Sequence, residues 1–544
     1  MTHRPGTMRD LSGRAARTLA AVVCVAFVGA PPAHTQSSPQ PRLFVAPQGT
    51  DSGNCTQSAP CRTFDRAYHL AQPGDVVAVA PGTYPAQTVT ADPAKYSPAV
   101  VFEPQDGDVR VAALTILGSY VEFDDLTIVG VWYVGNNSTN APQSTQPTGV
   151  TLRDVNAADF FITGASNVSV LGGRIGPYVD NAAQIKSCDG CRYVPQHITI
   201  DGVTFHDFTR ASSGVHMECL HVYPAQDLAI RNSRFFNCAI FDVFLANYGA
   251  GGDLRNITIE NNVFDMPGSR AGALSQGYYP VSFEGFHRTI TNVRIAYNSF
   301  ASGSIPGFDS SATYTGIVVE ANVGAMDQRF CSSGVTFAYN VWTSAKCGAT
   351  DTTAPTGFVD PGHQDYRLRP NAAAIDHGDP NDHPVVDVAG LLRPTRWRSD
   401  AGAYQWETAL VVLGKSIGAA SIGERTSRVA HFYGHPADSG RVRVGSRTLE
   451  RQVYAVRGGT LWVTSAAGTV VGIGTTSPYY ETADSLGPRS AVARLRRSGR
   501  TSWVGCRRAY RRYYGGVAVY FVPRGGRAGA TIGSISMTKS DGGC

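Results

Sequence analysis

A short unit, N-x-T-I-x-N-x-x-F in its clearest form, recurs through the middle of this 544-residue chain and leaves few folds open to it. It runs from His197-Ile198-Thr199-Ile200 to Phe205, from Asp227-Leu228-Ala229-Ile230 to Phe235, and from Asn256-Ile257-Thr258-Ile259 to Phe264. Two further copies run from Asn292-Val293-Arg294-Ile295 to Phe300 and from Gly334-Val335-Thr336-Phe337 to Trp342. Measured at Ile198, Leu228, Ile257, Val293 and Val335, the steps are 30, 29, 36 and 42 residues, and weaker copies start at Val121, Val150 and Val168. Self-similarity at such a period marks a solenoid, and short alternating strands in place of helices make it an all-β one.

Successive side chains of a strand face opposite ways, so Ile198 and Ile200 are expected on one side and His197 and Thr199 on the other. Stacked coils then superpose Phe205, Phe235, Phe264, Phe300 and Trp342 as an internal aromatic ladder. Asn262, Asn298 and Asn340 share one repeat position just before the aromatic strand, where an amide satisfies buried turn backbone in coil after coil. Both ladders are structural in this reading.

The chain is too long for one ordinary core, a limit a solenoid escapes because each coil contacts only its neighbours. Residues 1–35 read as an export signal: Arg4, Arg9, Arg14 and Arg17 precede the apolar run 19–28, and small residues follow at Gly29, Ala30 and Ala33. That run is too short to span a bilayer. Setting Cys24 aside, ten cysteines fall into local pairs, 55 with 61, 188 with 191, 219 with 238, 331 with 347 and 506 with 544. Paired cysteines in an exported chain argue for disulfides, and a metal or redox use of Cys188-Asp189-Gly190-Cys191 lacks its second half-site. The expected location is extracellular, and the expected state a monomer.

Charge is unevenly divided. Residues 409–544 hold 20 Lys/Arg against 6 Asp/Glu, whereas residues 1–408 hold 27 against 36. A basic appendage on an acidic body suits docking on an anionic polymer such as a cell-wall or acidic polysaccharide, and equally suits a solvated surface. A nucleic-acid role is not expected, since no motif for one is present.

Residues 63–71 have the spacing of a short amphipathic helix, and Gly74-Asp75-Val76-Val77-Ala78-Val79 reads as a strand entering the turn Pro81-Gly82-Thr83-Tyr84. A solenoid needs its first coil covered, and the helix serves. The opening F-V-A-P-x-G-x-D from Phe44, the Pro60-Cys61-x-Thr63 segment, this helix and G-D-V-V-x-V-x-P-G-T-Y resemble the N-terminal cap of secreted bacterial right-handed parallel β-helix proteins of the pectin lyase-like superfamily. Asp365-Tyr366-Arg367-Leu368, Ala374-Ile375-Asp376-His377-Gly378, Asp387, Gly390, Arg393 and Asp400-Ala401-Gly402-Ala403-Tyr404 resemble their last coils. The likeness covers residues 42–406 and implies the fold more than the activity, because such helices host lyases, hydrolases, isomerases and adhesins. Residues 410–544 read as a separate basic α+β domain, with helices expected at 422–433 and from 491, and strands at 441–444, 452–456, 461–464, 470–474, 517–522 and 532–537. A helix followed by antiparallel strands, twice over, resembles the small domains of outer-membrane assembly lipoproteins and β-lactamase inhibitor protein.

In the resembling polysaccharide enzymes the substrate groove lies on the outer face of the strand preceding each N-x-T-I unit. Those strands are expected at 183–187, 218–223, 242–246, 281–285 and 316–320. With Leu220, Val222, Val243, Leu245, Val281 and Phe283 turned inward, the outward set holds His221, Asp242, Phe244, Ser282 and Glu284, joined by Lys186 and Glu320. Uronate β-elimination needs a base for the proton alpha to the carboxylate and a cation to neutralise that carboxylate. Lys186 or His221 is the candidate base, and calcium held by Asp242 and Glu284 the candidate cation. Arg210, Tyr223, Phe244 and Tyr248 are the candidate substrate-binding residues. The same row equally suits a binding or spacer protein without catalysis. His216-Met217-Glu218-Cys219-Leu220-His221 has a spacing unsuited to zinc, with His216 and Glu218 expected on one side of the strand and His221 on the other. The N-T-D, D-D and G-H-G motifs of inverting galacturonan hydrolases do not occur in register, and the R-x-P-x-x-R signature of the main pectate lyase family is absent.

Overall fold

The computed structural model describes residues 43–539 except 137–145, 180–181, 188–192, 210–216, 249–251, 266–278, 305–306, 309, 327, 329–330, 332–333, 395–397, 408–409, 445–446 and 483–485. The expected signal segment, Arg210, His216, the Cys188 and Cys191 pair and Cys544 lie outside the described residues.

Each N-x-T-I segment is a strand of one twelve-stranded parallel sheet, which begins at Leu43–Val45 and ends at Val335–Ala338. Ile198, Leu228, Ile257, Val293, Ile317 and Val335 pair in one unbroken row. From each of these strands the chain turns into a second and then a third parallel strand before returning, as in Gln196–Asp201, Thr204–Thr209 and Glu218–Val222. The result is a right-handed parallel β-helix. Its first coil is closed by the helix Phe64–Leu70, whose N-cap Thr63 accepts from the Arg66 N–H. Phe64 is buried against Phe102 and Tyr84, with ring centroids 5.2 and 5.6 Å away.

The asparagines of the repeat occupy three distinct places. Asn256 and Asn292 take left-handed backbone, with φ of 56° and 54°, and the equivalent His197 and Asp227 do the same. This explains why Asn, Asp or His opens the motif in these four coils. Across coils, the Asn292 Nδ2 donates to Asn256 Oδ1 (3.1 Å) and Asn256 Nδ2 to Asp227 Oδ1 (2.8 Å). A second series, Asp201, Asn232 and Asn261, lines the turn after the strand, each asparagine donating to the coil before it at 2.7 Å. The third is buried. The backbone N–H of Ser233, Asn262, Asn298, Asn322 and Asn340 each donates to the side chain one coil onward, and Asp351 ends the row. The amides of Asn262, Asn298, Asn322 and Asn340 also donate to the carbonyls of Ile230, Ile259, Ile295 and Val319. Beside them Phe205, Phe235, Phe264 and Phe300 form the aromatic ladder, its Phe205 and Phe235 rings 4.7 Å apart at 3°, and the stacked Trp132 and Phe160 of a neighbouring row meet it at Phe205.

Two expectations are corrected near its end. The 42-residue step holds an additional short coil, so Thr313–Glu320 belongs to the twelve-stranded sheet and not to the groove. Glu320 therefore leaves the proposed groove row and instead accepts from Arg294 Nε at 2.8 Å. Gly324 of that coil pairs with Trp342, so Trp342 does not follow directly on Phe300.

Disulfides join Cys55 to Cys61, Cys219 to Cys238 and Cys331 to Cys347. Cys506 is also disulfide-bonded. No helix among the described residues is long and apolar enough to cross a membrane.

The C-terminal part is an eight-stranded antiparallel sheet built as two halves, each a short helix followed by four strands. The halves meet at Thr469–Thr475 and Ile532–Thr538 in the sheet's centre. The helices Thr426–Tyr433 and Val492–Arg497 pack through Val429, Tyr433, Val492 and Leu495 on one face. The strands Ser502–Val504 and Ala509–Tyr514 escape a hydrophobic-pattern reading because Arg511 and Arg512 break the alternation. Both guanidiniums lie over rings, of Tyr513 at 4.9 Å and Phe521 at 5.7 Å.

Residues 398–407 bind this sheet to the end of the solenoid. The buried Asp400 carboxylate accepts from Gln405 Nε2 and the Trp406 N–H, both at 2.7 Å, while Glu407 Oε2 accepts from Tyr480 OH at 2.7 Å. Arg457 pairs with Asp376 and lies 4.8 Å from the Tyr479 ring centre. Burial pushes the Asp400 carboxyl up to about 7 and the Glu407 carboxyl up to about 8.

Asn298→Ala strands buried backbone groups and is expected to cost about 2–4 kcal/mol, read as a lower midpoint in denaturant unfolding. A carboxyl that titrates near about 4.3 when unfolded and about 8 when folded retains its proton only in the folded state between those values, so Glu407 lowers stability as pH rises through that window. Asp400 adds a contribution of the same sign, so Glu407→Gln is expected to make the fall in melting temperature from pH 5 to pH 8 shallower; an unchanged slope contradicts the assignment.

Candidate functional site

The strands Asn156–Thr163, Ala183–Lys186, Glu218–Val222, Phe241–Ala246 and Val281–Glu284 lie one above another. Ile162, Ile185, Val222, Leu245 and Phe283 form the inward row, all buried. Alternation turns the residues between them outward. One outward row is Phe161, Gln184, His221, Phe244 and Ser282. The next contains Thr163 paired with Lys186 and Ala246 paired with Glu284. Tyr223, whose N–H donates to the Ile185 carbonyl at 2.9 Å, continues the Lys186 row.

Around His221 the surface opens into a cleft of about 340 Å³, walled by Gln184, Glu218, Tyr223, Phe244, Tyr248, Glu284 and Phe286. The His221 ring lies parallel to Tyr223, with centroids 4.2 Å apart at 6°, and 4.7 Å from Phe244. Tyr248 is 5.2 Å from Tyr223 and 4.8 Å from Phe286. Tyr248 and Phe286 form the exposed rim, at 38 % and 43 % accessibility, whereas His221 is 7 % exposed in the wall. Phe286 and His287 both hold left-handed backbone (φ 48° and 62°), an uncommon state for a bulky side chain that fixes the rim.

Glu218 departs from the expected arrangement. It is the first residue of its strand and fully buried, and its Oε2 approaches His221 Nδ1 to 3.4 Å instead of turning to the other side. The disulfide of the adjoining Cys219 with Cys238 anchors this corner to the strand Arg234–Cys238 of the next coil.

Lys186 stands on the coil next to His221, one outward position further along, with Nζ 5.9 Å from the Phe161 ring centre. Phe161 stacks on Tyr133 at 5.2 Å and 9°, extending the aromatic surface two more coils. Sequence reasoning passed over Phe161 and Tyr133 because it assigned no groove strand before residue 183; the paired Phe160-Phe161, one ring inward and one outward, is the signal that marks them.

Calcium does not fit the expected ligand pair. Asp242 is fully buried and lies four residues before Ala246, the partner of Glu284, so about 13 Å of strand separates the two rungs. Among the described residues no group of three His, Cys, Asp or Glu side chains converges on a metal position.

A family model described as a protein of unknown function (DUF1565) matches residues 47–99, the first coils of the solenoid. A search of curated proteins returns no match. Among solved structures, a pectate lyase, Pel9A, is similar at 14% identity over 67% of this chain and 96% of that one, with a TM-score of 0.40. A surface adhesin of Streptococcus pneumoniae, PfbA, is similar at 14% identity over 51% and 79%, with a TM-score of 0.34. The A-module of the Azotobacter vinelandii mannuronan C-5 epimerase AlgE6 is similar at 13% identity over 53% and 92%, with a TM-score of 0.29. These are distant likenesses, and the chemistry assigned below rests on the residues of the cleft.

Proposed function

We propose that this protein is an extracellular polysaccharide lyase that holds a uronate-containing chain along the outward rows of the groove sheet and cleaves it by β-elimination at His221. The carrying observation is the register that makes Lys186 and His221 diagonal neighbours on adjacent coils, with His221 in the wall of an aromatic-lined cleft.

In this reading the Lys186 ammonium faces the uronate carboxylate and the Gln184 amide lies beside the base on the adjacent coil. His221 takes the proton alpha to the carboxylate; the electron pair forms the new C4–C5 double bond and the C4–O bond breaks. Tyr223, on the same face, gives a proton to the departing oxygen. Glu218, 3.4 Å from Nδ1, stabilises the imidazolium that results. The cation is supplied by a side chain and no step needs calcium. The disulfides support an oxidising working compartment.

A second reading, carbohydrate binding without cleavage, is favoured by the accessible rings of Tyr248 and Phe286 and the Tyr133–Phe161 stack, which suit the flat faces of sugars. Ultraviolet detection of unsaturated uronate on pectate, alginate, hyaluronan and heparin-type polymers separates the two. The lyase reading expects product on at least one polymer, undiminished by chelator, with His221→Ala lowering the rate about 100-fold or more. Lys186→Ala is expected to lower kcat and kcat/KM together, as for a group that acts on developing charge. No product on any polymer, with retention on the same glycans, supports the binding reading and overturns the enzymatic one.

A further inference from the structure

The two helices cover one face of the C-terminal sheet, and the opposite face carries a trough. Along its floor the central strands place only small residues: Gly472 pairs with Thr538 and Gly474 with Ser536. On one side Trp462 pairs with Gly474 and lies so close over it that a Cβ at 474 would collide with the indole. Arg451, paired with Thr464 beside it, sits 5.8 Å from the Trp462 ring centre. On the other side Tyr520 pairs with Ser536 and carries the Arg507 guanidinium at 4.6 Å from its ring centre. Arg511 pairs with Tyr520 in the same row. The depression between these walls measures about 160 Å³.

We infer that this trough is a second glycan site, which takes a linear acidic polysaccharide and tethers the protein to its polymer. Beside the indole that covers Gly474, the depression is lined by Gly472, Ser536 and Thr538, whose small size leaves room for an extended chain and whose hydroxyls suit sugar hydroxyls. The half-buried Trp462 indole with the Arg451 guanidinium over it combines a surface for sugar faces with donors for carboxylate or sulfate, while Tyr520 is buried beneath the opposite wall. Charge favours the same occupant. Among the described residues the row from Val453 through Trp462, Gly474, Ser536 and Tyr520 to Arg511 holds no carboxylate, and the acidic Asp438 pairs with Val453 only at the sheet's edge. The surrounding residues 409–544 carry 20 Lys/Arg against 6 Asp/Glu. The trough lies in a different part of the chain from His221 and stands whether or not the groove cleaves.

The test uses the full chain in the His221→Ala background, so that the polymer stays intact, with polygalacturonate as the probe in cosedimentation over a range of salt. Arg451→Glu with Trp462→Ala is expected to weaken binding about tenfold or more and to flatten its salt dependence. Arg451→Gln alone, which leaves the indole packing in place, is expected to give a smaller loss in the same direction. With His221 restored, cleavage of short oligouronides by the double variant is expected to match the parent. Unchanged binding in both variants overturns the inference. So does duplex DNA that competes better than polygalacturonate, since the surface would then be a nucleic-acid site.

Discussion

Every coil of this solenoid must turn three times and return to its starting point one strand spacing higher, about 4.8 Å, and the turns are where backbone groups would otherwise be stranded. Asparagine meets that constraint in three ways at once. It tolerates the left-handed backbone at Asn256 and Asn292, links coil to coil along the turn edges at Asn232 and Asn261, and fills the buried corner at Asn262, Asn298, Asn322 and Asn340. Because each amide contacts the next coil, the ladder fixes register as well as satisfying donors. A slip of one residue would turn every inward side chain outward.

That fixed register is what allows a site to be built on a sheet. The inward rows are committed to packing, and that packing holds Gln184, His221 and Phe244 at strand spacing on the other side of the sheet. The cleft gains its depth from the exposed rim of Tyr248 and Phe286, while Glu218 enters it from the strand's corner. At the far end the buried Asp400 and Glu407 carboxyls join the second sheet to the solenoid through tyrosines and backbone, so the basic trough and the groove are parts of one continuous architecture.

The fold was legible in the sequence because the repeat states its own period, and the inward rows followed from alternation alone. What was not legible depended on coil length and corners. The step from Val293 to Val335 concealed an additional coil, which moved Glu320 from the groove to the opposite sheet. Alternation placed Glu218 away from His221, but a residue at the strand's first position is not bound by it. Asp242 and Glu284 share a face in a linear reading, yet pairing sets them on separate rungs. In the second domain, arginines stacked on rings gave Ala509–Tyr514 a polar pattern that hid a strand.

Cleavage requires a uronate chain lying across Lys186 and His221. The most direct measurement is a crystal structure of the His221→Ala protein with a bound oligouronide. The chain is expected to run along the solenoid axis over Gln184 and Tyr223, with one carboxylate against the Lys186 ammonium and a ring against Tyr248 or Phe286. An oligouronide bound elsewhere on the solenoid, or one whose carboxylate is held by a metal at Asp242, would contradict it.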